Sequence, residues 1–382
     1  MKIAYIHNDK KINTGANHIN SLIISSLKKH NIDVKNYYPR FSLTNTPLHF
    51  RGFNNILFFY SLLEKKNQIL KCDIIQGTTY TPIAFLQFAK PVVSHFGSTT
   101  IGFLRSVPKT KKLEPCCSSI IYEMRKEKII SCADIQTRRP LNDIATIEYY
   151  SAEKADLVVA TSEIVKNDLI SDGVDPQKIK VIYNAIENYW FDQESGEVSS
   201  EPVLIFLGRI GEDPFTLKLK GVDRLVCLYR KFPQIQKVSI VMSKNKKLIS
   251  WLGNKIPNHQ VFPNLIKTEI PGKLATLSGG IFIITSRYEG FSLSLLEGMS
   301  QGLIPISFPV GVAPEIIKNG ENGYLVNSLE EAEEIIKKLI NDYQLRCRLS
   351  RNAKELTKNF KSEIMAEKMV KLYKEILEKK LK

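Results

Sequence analysis

At 382 residues with 43% hydrophobic content the chain is long enough for two sizeable cores, and no apolar run approaches the length of a bilayer span. Its formal net charge is +15, with 25 Lys+Arg against 17 Asp+Glu over residues 1–190, so the excess is spread over both halves. Phosphorylated substrates, an anionic membrane surface or nucleic acid would all suit that sign. Six cysteines (Cys72, Cys116, Cys117, Cys132, Cys227 and Cys347) form neither a C-x-x-C pair nor a secreted disulfide pattern, which points to a reducing compartment and implies no metal site.

In chain order, Ile3 to Ile6 starts directly as a strand without the apolar core of a signal peptide, which favours a cytoplasmic protein. A loop around Gly15 and a helix near Asn17 to His30 follow, then strands at Asp73 to Gln76, Val92 to His95, Leu157 to Thr161 and Lys180 to Tyr183. These make a first domain over residues 1–190. A polar stretch within 191–202, Asp192-Gln193-Glu194-Ser195-Gly196-Glu197, reads as a hinge. A second domain, 203–360, opens with Val203 to Leu207 and continues with strands at Val238 to Met242, Ile281 to Thr285 and Ile304 to Phe308, and helices from Val222, Glu269, Ser292 and Pro314. Residues 361–382 end the chain in an amphipathic helix expected to pack back on the first domain. Strands and helices alternating from end to end predict α/β architecture, with parallel sheets covered on both faces.

Ligands of such sheets bind at the carboxyl ends of strands, and the residues there carry the chemistry. Glu289 and Glu297 bracket a Gly290-Phe291-Ser292-Leu293 turn between the Ile281 strand and a helix predicted over Ser292 to Gln301. The first turn of that helix offers N–H groups to an anion such as a diphosphate. More than one helical turn separates the two acids, so they serve different hydroxyl groups of a ligand. Gly208-Arg209 ends the first strand of the second domain and Lys220-Gly221 opens a helix, placing two cations at the same edge.

Taken together, GR (208, 209), KG (220, 221), E-x7-E (289, 297), G-M-S-Q-G-x-I-P (298–305), G-x-x-P-E (311–315) and N-G-Y-L-V (322–326) resemble the retaining glycosyltransferases of family 4, which have the GT-B fold. The resemblance is good over residues 150–380 and weaker before, apart from Val92-Val93-Ser94-His95. It implies two Rossmann-like doubly wound domains facing a central cleft, and transfer of a sugar from a nucleotide-diphosphate donor with retention. Carried over, Arg209 and Lys220 would hold the diphosphate, Glu297 the ribose, Glu289 the donor sugar, and the Gly290–Leu293 turn would supply backbone N–H groups. His95 would reach the donor sugar from the first domain, and Gly15 would line the donor site. No metal cofactor is then required, and the chain contains no Asp-x-Asp pair of the kind metal-dependent glycosyltransferases use.

The chain departs from the family at Thr14-Gly15-Ala16-Asn17, where a second glycine is common, and in the long loop from Ile210 to Leu219, which lets Lys218 compete with Lys220 for the phosphate role. The expected acceptor is a glycan or lipid-linked glycan, in cell-surface polysaccharide or glycoconjugate synthesis. Two stretches suit a protein resting on an anionic inner leaflet: Ile56 to Leu63 leading into Lys65-Lys66, and Ile120-Ile121-Tyr122 amid Lys109, Lys111, Lys112, Arg125, Lys126 and Lys128. A dinucleotide oxidoreductase is disfavoured because no G-x-G-x-x-G follows the first strand, and no nucleic-acid motif is present. A sugar-nucleotide epimerase on the same architecture and a non-catalytic nucleotide-sugar or glycan-binding protein are the alternatives.

Overall fold

The computed structural model describes residues 1–10, 15–41, 54–193 and 196–381; Thr14 of the single-glycine turn and Glu194 and Ser195 of the expected hinge lie outside these. The chain forms two compact units. Unit 1 comprises residues 1–101, 139–185 and 360–382, and unit 2 comprises 102–138 and 186–359.

Each unit is built on one six-stranded parallel sheet. In unit 1 the strands are β1 (Lys2–Ile6), β2 (Asp33–Tyr37), β3 (Ile74–Thr78), β4 (Val92–Phe96), β5 (Leu157–Ala160) and β6 (Ile179–Val181), in the order β2-β1-β3-β4-β5-β6. In unit 2 they are β7 (Val203–Arg209), β8 (Gln236–Met242), β9 (His259–Pro263), β10 (Ile281–Ile284), β11 (Ile304–Ser307) and β12 (Tyr324–Leu325), in the order β12-β11-β10-β7-β8-β9. Counted within unit 2 this is the 3-2-1-4-5-6 Rossmann order read from the other edge, with its switch point between β7 and β10. Continuous apolar runs such as Ile281-Phe282-Ile283-Ile284 are buried along their whole length, as a sheet covered on both faces requires.

Residues 102–138 join unit 2 because the helix Pro115–Lys126 buries Cys117, Ile120, Ile121 and Met124 in the core that also holds Leu225, Val226 and Leu228 of the helix Val222–Lys231. Arg230 grips Glu123 with both guanidinium nitrogens at 2.9 Å, and Lys255 pairs with Glu127 at 2.8 Å. The last helix, Ser362–Leu381, belongs to unit 1, where the Tyr373 hydroxyl donates to Gln76 of β3 and both groups are buried.

Candidate active site

The carboxyl ends of β7 and β10 lie side by side, since these strands pair in register Ile281 with Leu204 and Phe282 with Ile205. Arg209, exposed, is the last residue of β7, and half-buried Gly208 precedes it. Asp213 then starts a short helix, Pro214–Leu219, by accepting from the N–H groups of Phe215 and Thr216 at 2.8 and 3.0 Å.

Lys220 caps the end of that helix, and Gly221 turns the chain into Val222–Lys231 with φ +64. A Cβ at Gly221 would stand 1.9 Å from the Thr285 carbonyl oxygen, so only glycine lets this junction close on the end of β10. The Arg287 N–H donates to the Leu219 carbonyl at 2.8 Å. The Arg287 guanidinium forks onto both oxygens of Asp223 at 2.7 and 2.6 Å and also donates to the Lys218 carbonyl at 2.6 Å. Asp223 is fully buried, and the bidentate pair satisfies it.

This clamp brings Lys220 and Glu289 together. Lys220 Nζ donates to Glu289 Oε1 at 2.6 Å, and Ser286 Oγ donates to the same oxygen at 2.7 Å. Lys220 keeps 29% of its side chain exposed, and an ammonium group has three donors, so one anion does not exhaust it. Lys218, two residues earlier and so roughly 200° around the helix, points the other way. It is buried in an ion pair with Asp134 and donates to the Pro108 carbonyl and Thr110 Oγ1 at 3.0 and 3.2 Å.

Glu289 leads into the turn Gly290-Phe291-Ser292. Ser292 is the left-handed cap (φ 72, ψ 72) of a helix that runs Leu293–Ser300, one residue shorter at each end than the sequence suggests. Gly311, at φ +55, packs under the turn where a Cβ would meet the Phe291 carbonyl oxygen at 2.5 Å, and that carbonyl accepts the Val312 N–H at 3.0 Å. The Ser292 hydroxyl is buried with no partner among the described residues. It sits at a helix start, where backbone N–H groups lack intrahelical acceptors.

Glu297 lies further along this helix and is buried, 9% exposed. Burial, with Glu187 reinforcing it and Lys267 partly offsetting it, raises its carboxyl to about 7. Lys267 Nζ stands 3.9 Å from Glu297 and pairs with Glu187. The two acids of E-x7-E thus have separate settings, one ion-paired and one desolvated.

His95 and Gly15 belong to unit 1. His95 is the fourth residue of β4 and buried; burial lowers its imidazole to about 4, which keeps the ring neutral. Gly15 is the first residue of the helix Gly15–Lys29. Sequence reading missed Asp223, Arg287, Ser286, Lys267 and Glu187. Asp223 carried a signal, an acid in the first turn of the helix that Lys220-Gly221 opens; Glu187 and Lys267 are 80 residues apart and carried none.

Two family models match the chain, Glycosyltransferase Family 4 over residues 25–188 and Glycosyl transferases group 1 over residues 190–356. The chain belongs to the family 4 glycosyltransferases. An uncharacterized glycosyltransferase of Methanocaldococcus jannaschii is 32% identical over 244 residues, 59% of each chain. Matches to two others from that organism cover 62% and 64% of their length, so the chain spans about three fifths of these curated relatives. Sucrose-phosphate synthase from Thermosynechococcus elongatus superposes with a TM-score of 0.73 at 15% identity, covering 98% of this chain and 99% of that one. HepE of Anabaena in complex with UDP gives 0.67 at 18% identity, covering 98% and 100%; its complex with UDP-glucose gives 0.65 at 17%, with the same coverage. At these identities the structures establish the fold, GT-B.

Proposed function

We propose that this family 4 member transfers a sugar from a nucleotide-diphosphate donor to a glycan or lipid-linked acceptor with retention of configuration. The observation that carries the reading is the Lys220–Glu289 pair beside the Ser292 helix start at the switch point of unit 2. Arg209, Lys220 and the helix N-terminus would stabilise the charge that develops on the departing diphosphate. Lys220, not Lys218, takes that role, because Lys218 is spent on Asp134. Glu297 would accept the ribose hydroxyls, and its carboxyl near 7 makes that contact strongest above neutrality.

Glu289, already accepting from Lys220 and Ser286, is held as an acceptor for donor-sugar hydroxyls and is poorly disposed to act as a nucleophile. A same-face reaction fits this arrangement: the leaving phosphate oxygen takes the acceptor's proton as the glycosidic bond to the acceptor forms and the bond to the diphosphate breaks. In unit 1 the neutral His95 would donate to or accept from a sugar hydroxyl, and Gly15 would approach the donor.

Thermal stability against UDP, GDP, ADP, dTDP and their sugars tests the donor site, and the HepE complexes make the uridine series the first choice. A shift with one base, lost in Arg209→Ala and Glu297→Ala variants of unchanged circular dichroism, is the expected result; undiminished binding in both variants removes the site assignment. Donor consumption without any acceptor would favour the epimerase, and binding without turnover the non-catalytic module.

A peripheral membrane location is supported by one face of the helix Asn54–Leu63. Ile56, Tyr60 and Leu63, spaced i, i+4, i+7, are 64%, 60% and 37% exposed, while Phe58 and Leu62 are buried. The other stretch offers less, since Ile120 and Ile121 are core residues of unit 2 and Tyr122 alone of that apolar trio is exposed. No helix among the described residues is long and apolar enough to cross a membrane.

A further inference from the structure

The helices Pro115–Lys126 and Val222–Lys231 bring three cysteines to one spot in unit 2. Cys116 Sγ and Cys117 Sγ lie 3.9 Å apart, Cys117 Sγ and Cys227 Sγ 4.0 Å apart, and all three sulfurs fall within 4.8 Å of one another. Cys117 and Cys227 are buried, and Cys116 is exposed. The sequence could not signal this cluster, because the third thiol lies 110 residues from the pair.

The spacing has a chemical meaning. Zinc–thiolate bonds of about 2.3 Å put sulfurs about 3.8 Å apart in tetrahedral geometry and about 4.0 Å apart in trigonal geometry. Two edges of the triangle already match, and the third, between the exposed Cys116 and Cys227, is at most 4.8 Å. The exposed corner also gives an entry path.

The surrounding charges fit an anionic complex. Three thiolates around a dication carry a net negative charge, and Arg224, Arg230, Arg287 and Lys231 all lie within electrostatic reach of one or more of the sulfurs, as do the acids Asp223 and Glu114. Arg287, Arg230 and Lys231 are already answered by Asp223, Glu123 and Glu333. Arg224 differs: its guanidinium lies over the Phe308 ring at 4.1 Å, and its Nε is buried with no acceptor among the described residues. A negatively charged cluster beside Cys117 would add to the counter-charge that Asp223 and Glu114 give Arg224.

We propose that Cys116, Cys117 and Cys227 form a three-thiolate site for a thiophilic dication of the zinc type, with the fourth position open to water on the Cys116 side. Binding releases the three thiol protons to solvent and forms three metal–sulfur bonds, with no change of oxidation state. The cation would pin Pro115–Lys126 to the helix that begins directly after Lys220-Gly221. This inference does not depend on the glycosyl-transfer reading.

The test uses the full chain, kept reduced and stripped with a chelator. Titration with Co²⁺ should raise a thiolate-to-cobalt charge-transfer band that saturates at one equivalent and disappears when Zn²⁺ is added. Cys116→Ser, at an exposed position, should weaken Zn²⁺ binding by about 100-fold or more in competition with a chromophoric chelator, as should Cys227→Ser, since loss of an outer-shell partner alone costs about 10- to 100-fold and a direct ligand should cost no less. Cys132→Ser should leave binding unchanged. Absence of the band in the native chain, or full-strength binding by Cys116→Ser, overturns the proposal.

Discussion

The two units use the same sheet architecture for opposite electrostatic styles. At the carboxyl edge of unit 2 the side chains are charged and locked: Lys220 to Glu289, Arg287 to Asp223, Lys267 to Glu187. In unit 1 the corresponding interior is polar and neutral. Tyr5 donates to Asn20 at 2.8 Å, Asn20 donates to Thr78 at 3.0 Å, Tyr373 donates to Gln76, and burial lowers His95 to about 4. Fixed charge is what a diphosphate leaving group calls for, and neutral hydroxyl, amide and imidazole groups are what sugar hydroxyls call for. The difference assigns the demanding electrostatics of the proposed reaction to unit 2.

The sharpest break in that comparison is the Arg287–Asp223 clamp. Asp223→Ala leaves a buried guanidinium without its carboxylate, so denaturant unfolding should show a loss of about 3–5 kcal/mol. Tyr373→Phe in unit 1 removes a neutral hydrogen bond and should cost about 1 kcal/mol. Equal losses would mean that the charged and neutral interiors do not differ in the way described.

Next in size is a pH effect at Glu297. Its folded carboxyl is raised to about 7 from 4.5, so the native state holds a proton that the unfolded chain has released between those values. Its contribution to stability is therefore greatest at low pH, falls as pH rises through that window and is flat above it, with an upper limit of about 3 kcal/mol. Glu297→Gln, which stays neutral, should be more stable than the native chain at pH 8 and indistinguishable from it near pH 5, measured as the pH dependence of the melting temperature. A gap that widens on acidification would contradict the assignment.

The two lysines of the long loop separate ligand work from packing. Lys220→Ala should weaken nucleotide-diphosphate binding by about 10- to 100-fold, the scale of a charge-assisted hydrogen bond, with a stability loss of about 1 kcal/mol, since Glu289 keeps the Ser286 hydroxyl as donor. Lys218→Ala should leave binding unchanged and cost more stability, because it empties a fully buried position and strands Asp134; Asp134 is 39% exposed, so the loss should be about 2–3 kcal/mol. Titration calorimetry and thermal melts on both variants decide the matter, and a Lys218→Ala protein that is stable but cannot bind donor would exchange the two roles.

The loop also shows how far sequence alone reaches. Both lysines were visible there, but which one faces the site depends on the helix that Asp213 starts, a turn set by local capping and not by apolar periodicity. Central strands such as β7 and β10 were legible because burial on both faces leaves an unbroken apolar run. Edge strand β6 was read within two residues of its ends, but the other three edge strands were not. β2 buries only Val34 of its five residues, β9 has no fully buried residue, and β12 has two residues, so solvent-facing positions erase the pattern. The E-x7-E turn could be read because its residues are contiguous. The Lys267–Glu187 pair beside Glu297 and the Arg287 clamp are joined only by the fold.

The smallest effect on stability should come from the exposed face of unit 1. Tyr60 is 60% exposed on a helix whose opposite side holds the buried Phe58 and Leu62, so Tyr60→Asp removes little packing and should shift stability by less than about 0.5 kcal/mol. On an anionic vesicle the same change places a carboxylate where an apolar ring would enter the headgroup boundary. Co-sedimentation with phosphatidylserine-containing vesicles should then fall by about tenfold or more, given the free energy of burying one large side chain. Lys220→Ala, at the proposed donor site of unit 2, should leave sedimentation unchanged. If Tyr60→Asp sediments like the native chain, the exposed apolar face is no membrane contact, and the proposed acceptor must reach unit 1 from solution.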